Sequence, residues 1–382
     1  MKSLLLAQQA CCLMTFEDLV DFYSKNLFYL KDYTIICATN YKNSIDLYSL
    51  FTDIEGIKDR LHTPFVNGKV NIVNNQILQR LYYKNKVNTG MQFCVSFDTQ
   101  TISYFNRYYR GNVASLPTNL KTFIQLLYNQ NISVDHIPYS MENLLFSNKN
   151  IDSIYDTIYT FERLYYKENE SDEYCHMQTK KVINWYESMR NRNETEFIHL
   201  YKSLYISLLK MCHIQLFHTS WLIDKKMETL CEFMNSTISQ MLHPELILAY
   251  NFFQKGQNYN FFGKIQKGRT DIVNSIKNMA WDLFHLRMLE INCAFKNHDV
   301  VNAVIPYFFT YDERLKNISE CYALKGIAVN EKTHERTPIY TNINTIIPYI
   351  AKYSDEVHIV KRASRRQQID LCDVINRLEN SF

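Results

Sequence analysis

The clearest pattern in the chain is a run of apolar and small residues at positions 93–97 that ends directly at an acidic residue, Asp98. An apolar run of this length between polar residues is typical of a buried strand. Ligands of open α/β sheets bind beyond the carboxyl ends of the strands, so such a strand would bring the Asp98 carboxylate to a ligand-binding edge. We therefore predict a strand that ends at Asp98, followed by a helix over residues 101–109.

A second aromatic run leads to another acid, Asp312. The pattern here predicts a short strand that ends at Asp312, a helix after it, and a further strand over residues 324–329. We expect Pro306 just before the first of these strands, because a proline lacks the N–H that a strand interior uses for pairing. Two predicted strands thus end at a carboxylate.

The other predicted elements are mostly helices, because apolar residues recur at helical spacing. Residues 151–254 are almost wholly of this type, and three of the eight glycines fall in the loop that follows, residues 254–269. Thr15 and Ser140 are predicted N-caps, since their hydroxyl groups can accept a hydrogen bond from a first-turn N–H. Elsewhere we predict a strand over residues 33–38 and helices over residues 15–30, 44–51, 75–83, 116–127 and 271–294.

Composition favours a folded, helix-rich intracellular protein. The chain has 382 residues, of which 46% are hydrophobic, and its scarce glycines and prolines (8 and 7) argue against a many-turned β-sandwich. The net charge of +3 neither demonstrates nor opposes nucleic-acid binding. The 10 cysteines form no CxxC pair, as expected for reduced thiols. We find no signal peptide and no membrane span, and expect a cytoplasmic location.

Acidic residues of the predicted strands and helices suggest a cation site. Asp98 and Asp312 end strands, while Glu142 and Asp282 lie on predicted helices. Carboxylate oxygens are the ligands that Mg²⁺ and Mn²⁺ prefer, and clustered acids raise each other's pKa unless a cation is present. Two such ions can activate a water and stabilise the leaving oxygen of a phosphodiester.

The order of these motifs resembles the PIN-domain family of metal-dependent ribonucleases. In that family the first strand ends in an Asp followed by a small hydroxyl residue, as in Asp98-Thr99. The last motif is a Thr-x-Asp with a Leu three residues on, as in the segment TYDERL at residues 310–315. The resemblance implies a set of metal-binding catalytic acids and two supporting hydroxyl residues: Asp98, Glu142, Asp282 and Asp312, with Thr99 and Thr310.

The resemblance also implies the fold class and its divisions. We expect an α/β fold with a Rossmann-like (PIN-like) parallel sheet core, an extensive helical insertion and flanking helices. The predicted parts are a mixed α/β extension at 1–90, the PIN-like core at 91–147 and 270–330, the helical insertion at 148–269, and a tail at 331–382 with a basic run and a helix. Because the insertion departs from the family pattern, the second acid stays open, with Asp135, Glu162 or Glu290 as alternatives to Glu142.

The expected activity is hydrolysis of RNA phosphodiesters by a metal-dependent endoribonuclease with Mg²⁺ or Mn²⁺. Compatible roles are a toxin of a toxin–antitoxin pair, a phage-defence effector or RNA processing. Single-stranded RNA is the expected partner, with a second copy of the chain or an inhibitory protein as further partners and no membrane. Basic residues of the 254–269 loop would contact the RNA backbone: Lys264, Lys267 and Arg269.

Two other functions compete with this one. Arg192 and His199, expected on one helix, resemble the Arg-x4-6-His pattern of the metal-free HEPN ribonucleases. Alternatively, the chain is a non-catalytic PIN-like scaffold or RNA-binding protein. Cleavage that requires a metal separates the first reading from both alternatives.

Overall fold

A computed structural model describes most of the chain and shows a mixed α/β protein. The described residues are 2–41, 44–51, 54–83, 91–114, 116–130, 132–145, 150–166, 171–192, 196–297, 301–366 and 368–382. The predicted boundaries at residue 90 and at residues 147 and 148 lie outside them, and the four-part division stays a prediction.

The contacts divide the chain into two compact units. The first comprises Met1–Glu194, Met288–Lys316 and Leu324–Ile339. The second comprises Thr195–Arg287, Asn317–Ala323 and Tyr340–Phe382. Both units are therefore assembled from segments that are distant in the sequence.

The strands and helices have the following bounds. The strands are β1 Tyr33–Ala38, β2 Ile45–Asp46, β3 Leu61–His62, β4 Lys69–Val73, β5 Met91–Phe97, β6 Ser133–Asp135, β7 Ala294–Asn297, β8 Val301–Phe309, β9 Leu324–Asn330 and β10 Arg336–Tyr340. The helices are α1 Lys2–Ala10, α2 Phe16–Lys25, α3 Leu27–Leu30, α4 Asn75–Tyr82, α5 Thr99–Tyr109, α6 Leu120–Asn129, α7 Ile137–Ser140, α8 Ile151–Tyr166, α9 Asp172–Arg192, α10 Glu196–Phe217, α11 Ile223–Ser236, α12 His243–Lys255, α13 Ile272–Ile291, α14 Glu313–Ser319, α15 Ile347–Ile350, α16 Glu356–Arg366 and α17 Leu371–Glu379.

One sheet of the described residues has the strand order β10-β9-β1-β4-β2, and β1 pairs antiparallel with both β4 and β9. Its central strand, β1, is apolar and almost wholly buried, as its sequence predicts. Gly326 of β9 lies so close to Cys11 that a Cβ atom there would be 2.7 Å from the Cys11 Cβ. The close packing of α1 against this sheet therefore requires a glycine.

The second sheet contains the strands that lead to Asp98 and Asp312. Its strand order is β3-β8-β5-β6, with β7 also paired to β8. Strand β5 is parallel to β6 and to β8, whereas β3 and β7 run antiparallel to β8. The parallel part agrees with the fold class expected from the sequence, while the sheets as a whole are mixed. In the β5–β8 register Phe97 lies opposite Phe309, so these two strands end side by side.

An aromatic core fixes this pair of strand ends. Phe97 packs edge-on against Phe105 of α5, Phe161 of α8 and Phe309, with ring centroids 4.8, 6.0 and 5.9 Å away. Phe123 of α6 stacks on Phe309 at 4.4 Å. Because Phe97 and Phe309 are fully buried, their rings hold both strands against the helices.

Several local predictions are confirmed and three are wrong. Strand β1 has its predicted bounds, and Thr15 caps α2 by accepting a hydrogen bond from the Asp18 N–H at 3.0 Å.

The prediction that Pro306 precedes a strand is wrong, because Pro306 lies inside β8. Strand β7 pairs with β8 only as far as Val304, and β3 pairs with it only from Phe308 onward. Pro306 lies between these two paired parts, where a missing N–H disturbs strand pairing least.

Residues 44–51, predicted to be helical, form β2 and a 3₁₀ turn, Ser49–Phe51. The Asp46 carboxylate accepts the Tyr48 N–H at 2.9 Å, a local bond that competes with a helix. Ser140 does not cap a helix but ends α7. The helix starts earlier because Asp135 accepts the Ile137 N–H at 2.9 Å.

In the second unit, long helices pack around buried polar contacts. The Tyr205 hydroxyl of α10 donates to Glu379 of α17 at 2.6 Å, and the Tyr322 hydroxyl donates to the fully buried Glu245 at 3.0 Å. Part of the basic run at residues 361–366 also serves packing, since Arg362 donates to the Asn235 side chain at 3.1 Å. The run is thus only partly a solvated surface.

Candidate active site at the ends of two parallel strands

The structure places Asp98 beside the end of the neighbouring strand β8. The Asp98 N–H donates to the Phe309 carbonyl at 3.3 Å, which continues the pairing of the two strands. The Asp98 carboxylate then accepts a hydrogen bond from the Thr310 hydroxyl through Oδ2 at 2.6 Å. Residues separated by more than half of the chain therefore meet at one sheet edge.

Asp98 is also the N-cap of α5. Its Oδ1 accepts the Thr101 N–H at 2.6 Å, so both carboxylate oxygens are held in place. Burial raises the pKa of Asp98, the hydrogen bonds from Thr101 and Thr310 oppose that increase, and the negative charge of Asp312 adds to it. Burial is therefore the main cause of the raised pKa, and the Asp312 charge is a smaller one.

The Thr310 hydroxyl connects the two acids. It donates to Asp98 Oδ2 and accepts the Asp312 N–H at 3.0 Å. Thr310 is almost fully buried, with 1% of its surface exposed. A buried hydroxyl with both roles filled orients the segment that carries Asp312.

The Asp312 carboxylate is paired with Arg314. The Arg314 Nε lies 2.9 Å from Oδ1 and 3.0 Å from Oδ2, and its Nη2 forms a further short contact with Oδ2. Both side chains are partly exposed, at 39% for Arg314 and 21% for Asp312. The guanidinium already places a positive charge at this carboxylate.

Glu142 reaches the same edge through Thr99. The Thr99 hydroxyl, in the residue after Asp98, donates to Glu142 Oε2. Glu142 lies on a single π-helical turn, Met141–Leu145, that continues α7. Such turns are frequent at functional sites.

Two of the alternative acids have local roles. Asp135, at the end of β6, accepts the Ser96 hydroxyl at 2.8 Å and the Ile137 N–H at 2.9 Å, and burial raises its pKa. Glu162 lies 3.2 Å from the buried His136 ring. Their oxygens therefore satisfy neighbouring groups of the first unit.

Asp282 and Glu290, the other helix acids, both lie on α13. Asp282 is partly exposed between the buried Trp281 and Leu283, and it belongs to the second unit. The division between the units falls within α13, at residues 287 and 288. Whether Asp282 shares a site with Asp98 stays a prediction.

Within the described ranges, no group of three or more His, Cys, Asp or Glu side chains is arranged to hold a metal ion. The pair Asp98 and Asp312 nevertheless fits the chemistry of Mg²⁺, which often binds one or two carboxylates together with waters and substrate phosphates. Burial, and to a smaller extent the Asp312 charge, raises the pKa of Asp98, and a bound cation would offset both effects. The residues therefore fit a minimal two-carboxylate site.

Sequence reasoning missed Arg60 and the tyrosine pair beside the acids. Arg60 ends a 3₁₀ turn, Lys58–Arg60, before β3, and its guanidinium lies 5.2 Å over the Tyr311 ring. Tyr311 and Tyr104 of α5 meet edge-to-face with centroids 5.4 Å apart. A single arginine in a loop and two tyrosines among 28 carry no recognisable signal in the sequence.

The two HEPN-like residues lie on either side of a short stretch that the structure does not describe. Arg192 ends α9 and His199 lies on α10, with residues 193–195 outside the described part. Burial and the nearby positive charges of Arg366 and Lys202 lower the pKa of His199. Residues 193–195 lie between the two, so the expectation of one helix carrying both residues stays a prediction.

The predicted RNA-contacting residues of the 254–269 loop are exposed in the second unit. Arg269 forms an ion pair with Asp271, and the Lys267 ammonium lies 5.4 Å over the Phe217 ring. Lys264 is exposed as well. Exposure permits a contact with RNA but does not by itself indicate one.

No family model matches the sequence, and neither the curated proteins nor the solved structures compared with it give a match. None of the helices found among the described residues is long and apolar enough to cross a membrane.

Proposed function

We propose that the edge formed by Asp98, Thr310 and Asp312 is the catalytic centre of a PIN-like, divalent-metal-dependent endoribonuclease. One observation carries the proposal: two parallel neighbouring strands end in register, which brings Asp98 and Asp312 to one edge of the sheet. There the Thr310 hydroxyl binds both the Asp98 carboxylate and the backbone N–H of Asp312. That edge is where ligands bind in sheets of this kind.

Each residue has a defined task in this proposal. Asp98 and Asp312 would hold the ion, while Thr310 orients both and Thr99 holds Glu142 beside them. A bound divalent ion would supply a Lewis acid for the phosphoryl oxygens and a more acidic water. Arg314 would have to release part of its contact with Asp312, and its guanidinium would then lie where a phosphate approaches.

The tyrosine pair supports a single-stranded substrate. Tyr104 and Tyr311 are partly exposed and adjoin the acids, and the Arg107 guanidinium lies 5.7 Å over the Tyr104 ring. Aromatic rings flanked by cations bind unpaired nucleotides, because the bases stack and the phosphates meet positive charge. A duplex would keep its bases stacked inside and could not use them.

Cleavage of a labelled single-stranded RNA tests the proposal. We expect cleavage with Mn²⁺, none in EDTA, and loss of at least about a hundredfold in Asp98→Asn, a usual result when an essential catalytic group is removed. Asp21→Asn is the matched control, because Asp21 is 60% exposed and pairs only locally with Lys25. Folded protein that binds RNA without cleaving it would favour the non-catalytic alternative, and cleavage that persists in EDTA would contradict the proposal.

A further inference from the structure

Arg60, from the N-terminal part of the chain, contacts three residues of the segment 310–313, which carries Asp312. The Arg60 carbonyl accepts the Thr310 N–H at 3.1 Å, and the Arg60 Nη1 donates to the Tyr311 carbonyl at 3.0 Å. The same Nη1 lies 2.7 Å from Glu313 Oε1, while the guanidinium covers the Tyr311 ring. Arg60 therefore contacts the residues on both sides of Asp312.

The position of Arg60 is itself fixed by sheet pairing. Strand β3 begins at the next residue, Leu61, and pairs with Phe309, the last residue of β8. The backbone of Arg60 is thus held at the point where β8 ends. Its side chain is 28% exposed, and the guanidinium reaches over the segment that follows β8.

We propose that Arg60 is a positioning residue for the acid pair: it holds the segment 310–313 so that Asp312 faces Asp98. This inference rests on the proposed function, since it assigns Arg60 to that same site. The planar guanidinium suits the task because one group can bind a carbonyl, a carboxylate and a ring face at once. Arg60 acts through the Asp312 segment and not on the substrate.

Loss of the side chain should loosen this segment without unfolding the sheet. In Arg60→Ala the backbone contact to Thr310 remains, whereas the contacts to Tyr311 and Glu313 disappear. Small displacements of catalytic groups reduce rates strongly, so we expect kcat to fall about 10- to 100-fold while KM for RNA stays within about twofold. We also expect the Mn²⁺ concentration for half-maximal activity to rise severalfold.

Three further variants separate positioning from other roles. Arg60→Lys should recover only a small part of kcat, because an ammonium cannot bind the carbonyl, carboxylate and ring together. Glu313→Gln removes one of the contacts from the other side and should produce a smaller change in the same direction. Lys58→Ala, in the same 3₁₀ turn, is the matched control, and we expect it to behave as the wild type.

Hydrogen exchange of residues 308–315 provides a readout that does not depend on cleavage. We expect faster exchange in Arg60→Ala than in the wild type or Lys58→Ala. An increase in KM with unchanged kcat would mean that Arg60 binds RNA directly and would overturn the inference, as would unchanged exchange. If the wild type does not cleave RNA with any divalent ion, the proposed function fails, while the exchange result still decides whether Arg60 holds the segment.

Discussion

At the scale of single residues, Asp98 combines two demands that oppose each other. It caps α5 and accepts the Thr310 hydroxyl, contacts that stabilise the fold. Its carboxylate is also buried near the Asp312 charge, which raises its pKa and makes ionisation costly. The proposed bound cation would offset this cost.

Asp98→Asn should therefore stabilise the metal-free protein while it abolishes cleavage. The Asn oxygen can still accept the Thr101 N–H and cap the helix, and its amide N–H can donate to the Thr310 oxygen, but the side chain carries no charge. We expect a gain of about 0.5–2 kcal/mol at neutral pH, the range for relieving a strained functional site. Thermal denaturation in EDTA measures it.

The pH dependence of this gain has a definite sign. Because the pKa of Asp98 is higher in the folded than in the unfolded state, the cost of its ionisation is fully present only above the folded-state pKa. The gain should therefore shrink as the pH falls through that pKa. An advantage of Asp98→Asn that grows towards acidic pH would contradict this account.

Thr310→Val replaces the hydroxyl by a methyl group of similar size, so Asp98 and Asp312 should each lose a hydrogen bond. Asp98 loses a hydrogen bond that lowers its pKa, so the acidic limb of the pH–rate profile should move to higher pH. The partly buried Asp312 N–H also loses its acceptor, at a cost of about 1 kcal/mol in the free energy of unfolding, the lower end for an unsatisfied donor. Thr310→Ser keeps the hydroxyl and should resemble the wild type in both measurements.

At the scale of elements, strand β8 holds the site together. It pairs with β5 along its length and receives β3 and β7 on its other edge. Its last residue, Phe309, stacks on Phe123 and packs against Phe97. The position of Thr310 therefore depends on an aromatic core directly beneath it.

Phe309→Ala should cost about 3–5 kcal/mol of unfolding free energy, the usual price of removing a buried aromatic ring. Urea denaturation followed by near-ultraviolet circular dichroism measures the change. The control is Phe28→Ala, which removes a ring that is 79% exposed and should shift the free energy by less than about 0.5 kcal/mol. Equal effects of the two variants would show that the core does not support the strand end as described.

At the scale of the whole molecule, the acids expected from the sequence do not all belong to one compact unit. Asp98, Glu142 and Asp312 belong to the first unit and Asp282 to the second, while α13 contributes residues to both. The metal-binding role expected of Asp282 therefore stays a prediction.

Asp282→Asn tests that role. If Asp282 helps to hold the ion, the variant should raise the Mn²⁺ concentration for half-maximal cleavage by about 10- to 100-fold, the usual effect of weakening a metal site. Glu290→Gln, a change at another partly exposed acid of α13, should leave the titration unchanged. The reverse result would assign the role to Glu290, and no effect of either variant would limit the site to the first unit.

Local features of the sequence determined much of the secondary structure. The β-branched run of β1, the Thr15 cap of α2 and the apolar run that ends at Asp98 depend on residues close in the chain, and the structure contains all three. Two of the three wrong local predictions, at Ser140 and at residues 44–51, arose where an Asp side chain accepts a backbone N–H and so favours a different local structure.

Only the tertiary structure decided which of these features meet. The hydrophobic pattern shows that Asp98 and Asp312 each follow a strand, but it does not state that β5 and β8 are parallel neighbours in register. Pro306 inside β8 and Arg60 beside Asp312 depend on where β3 and β7 pair. Strand pairing joins residues that are distant in the sequence, so no local pattern contains this information.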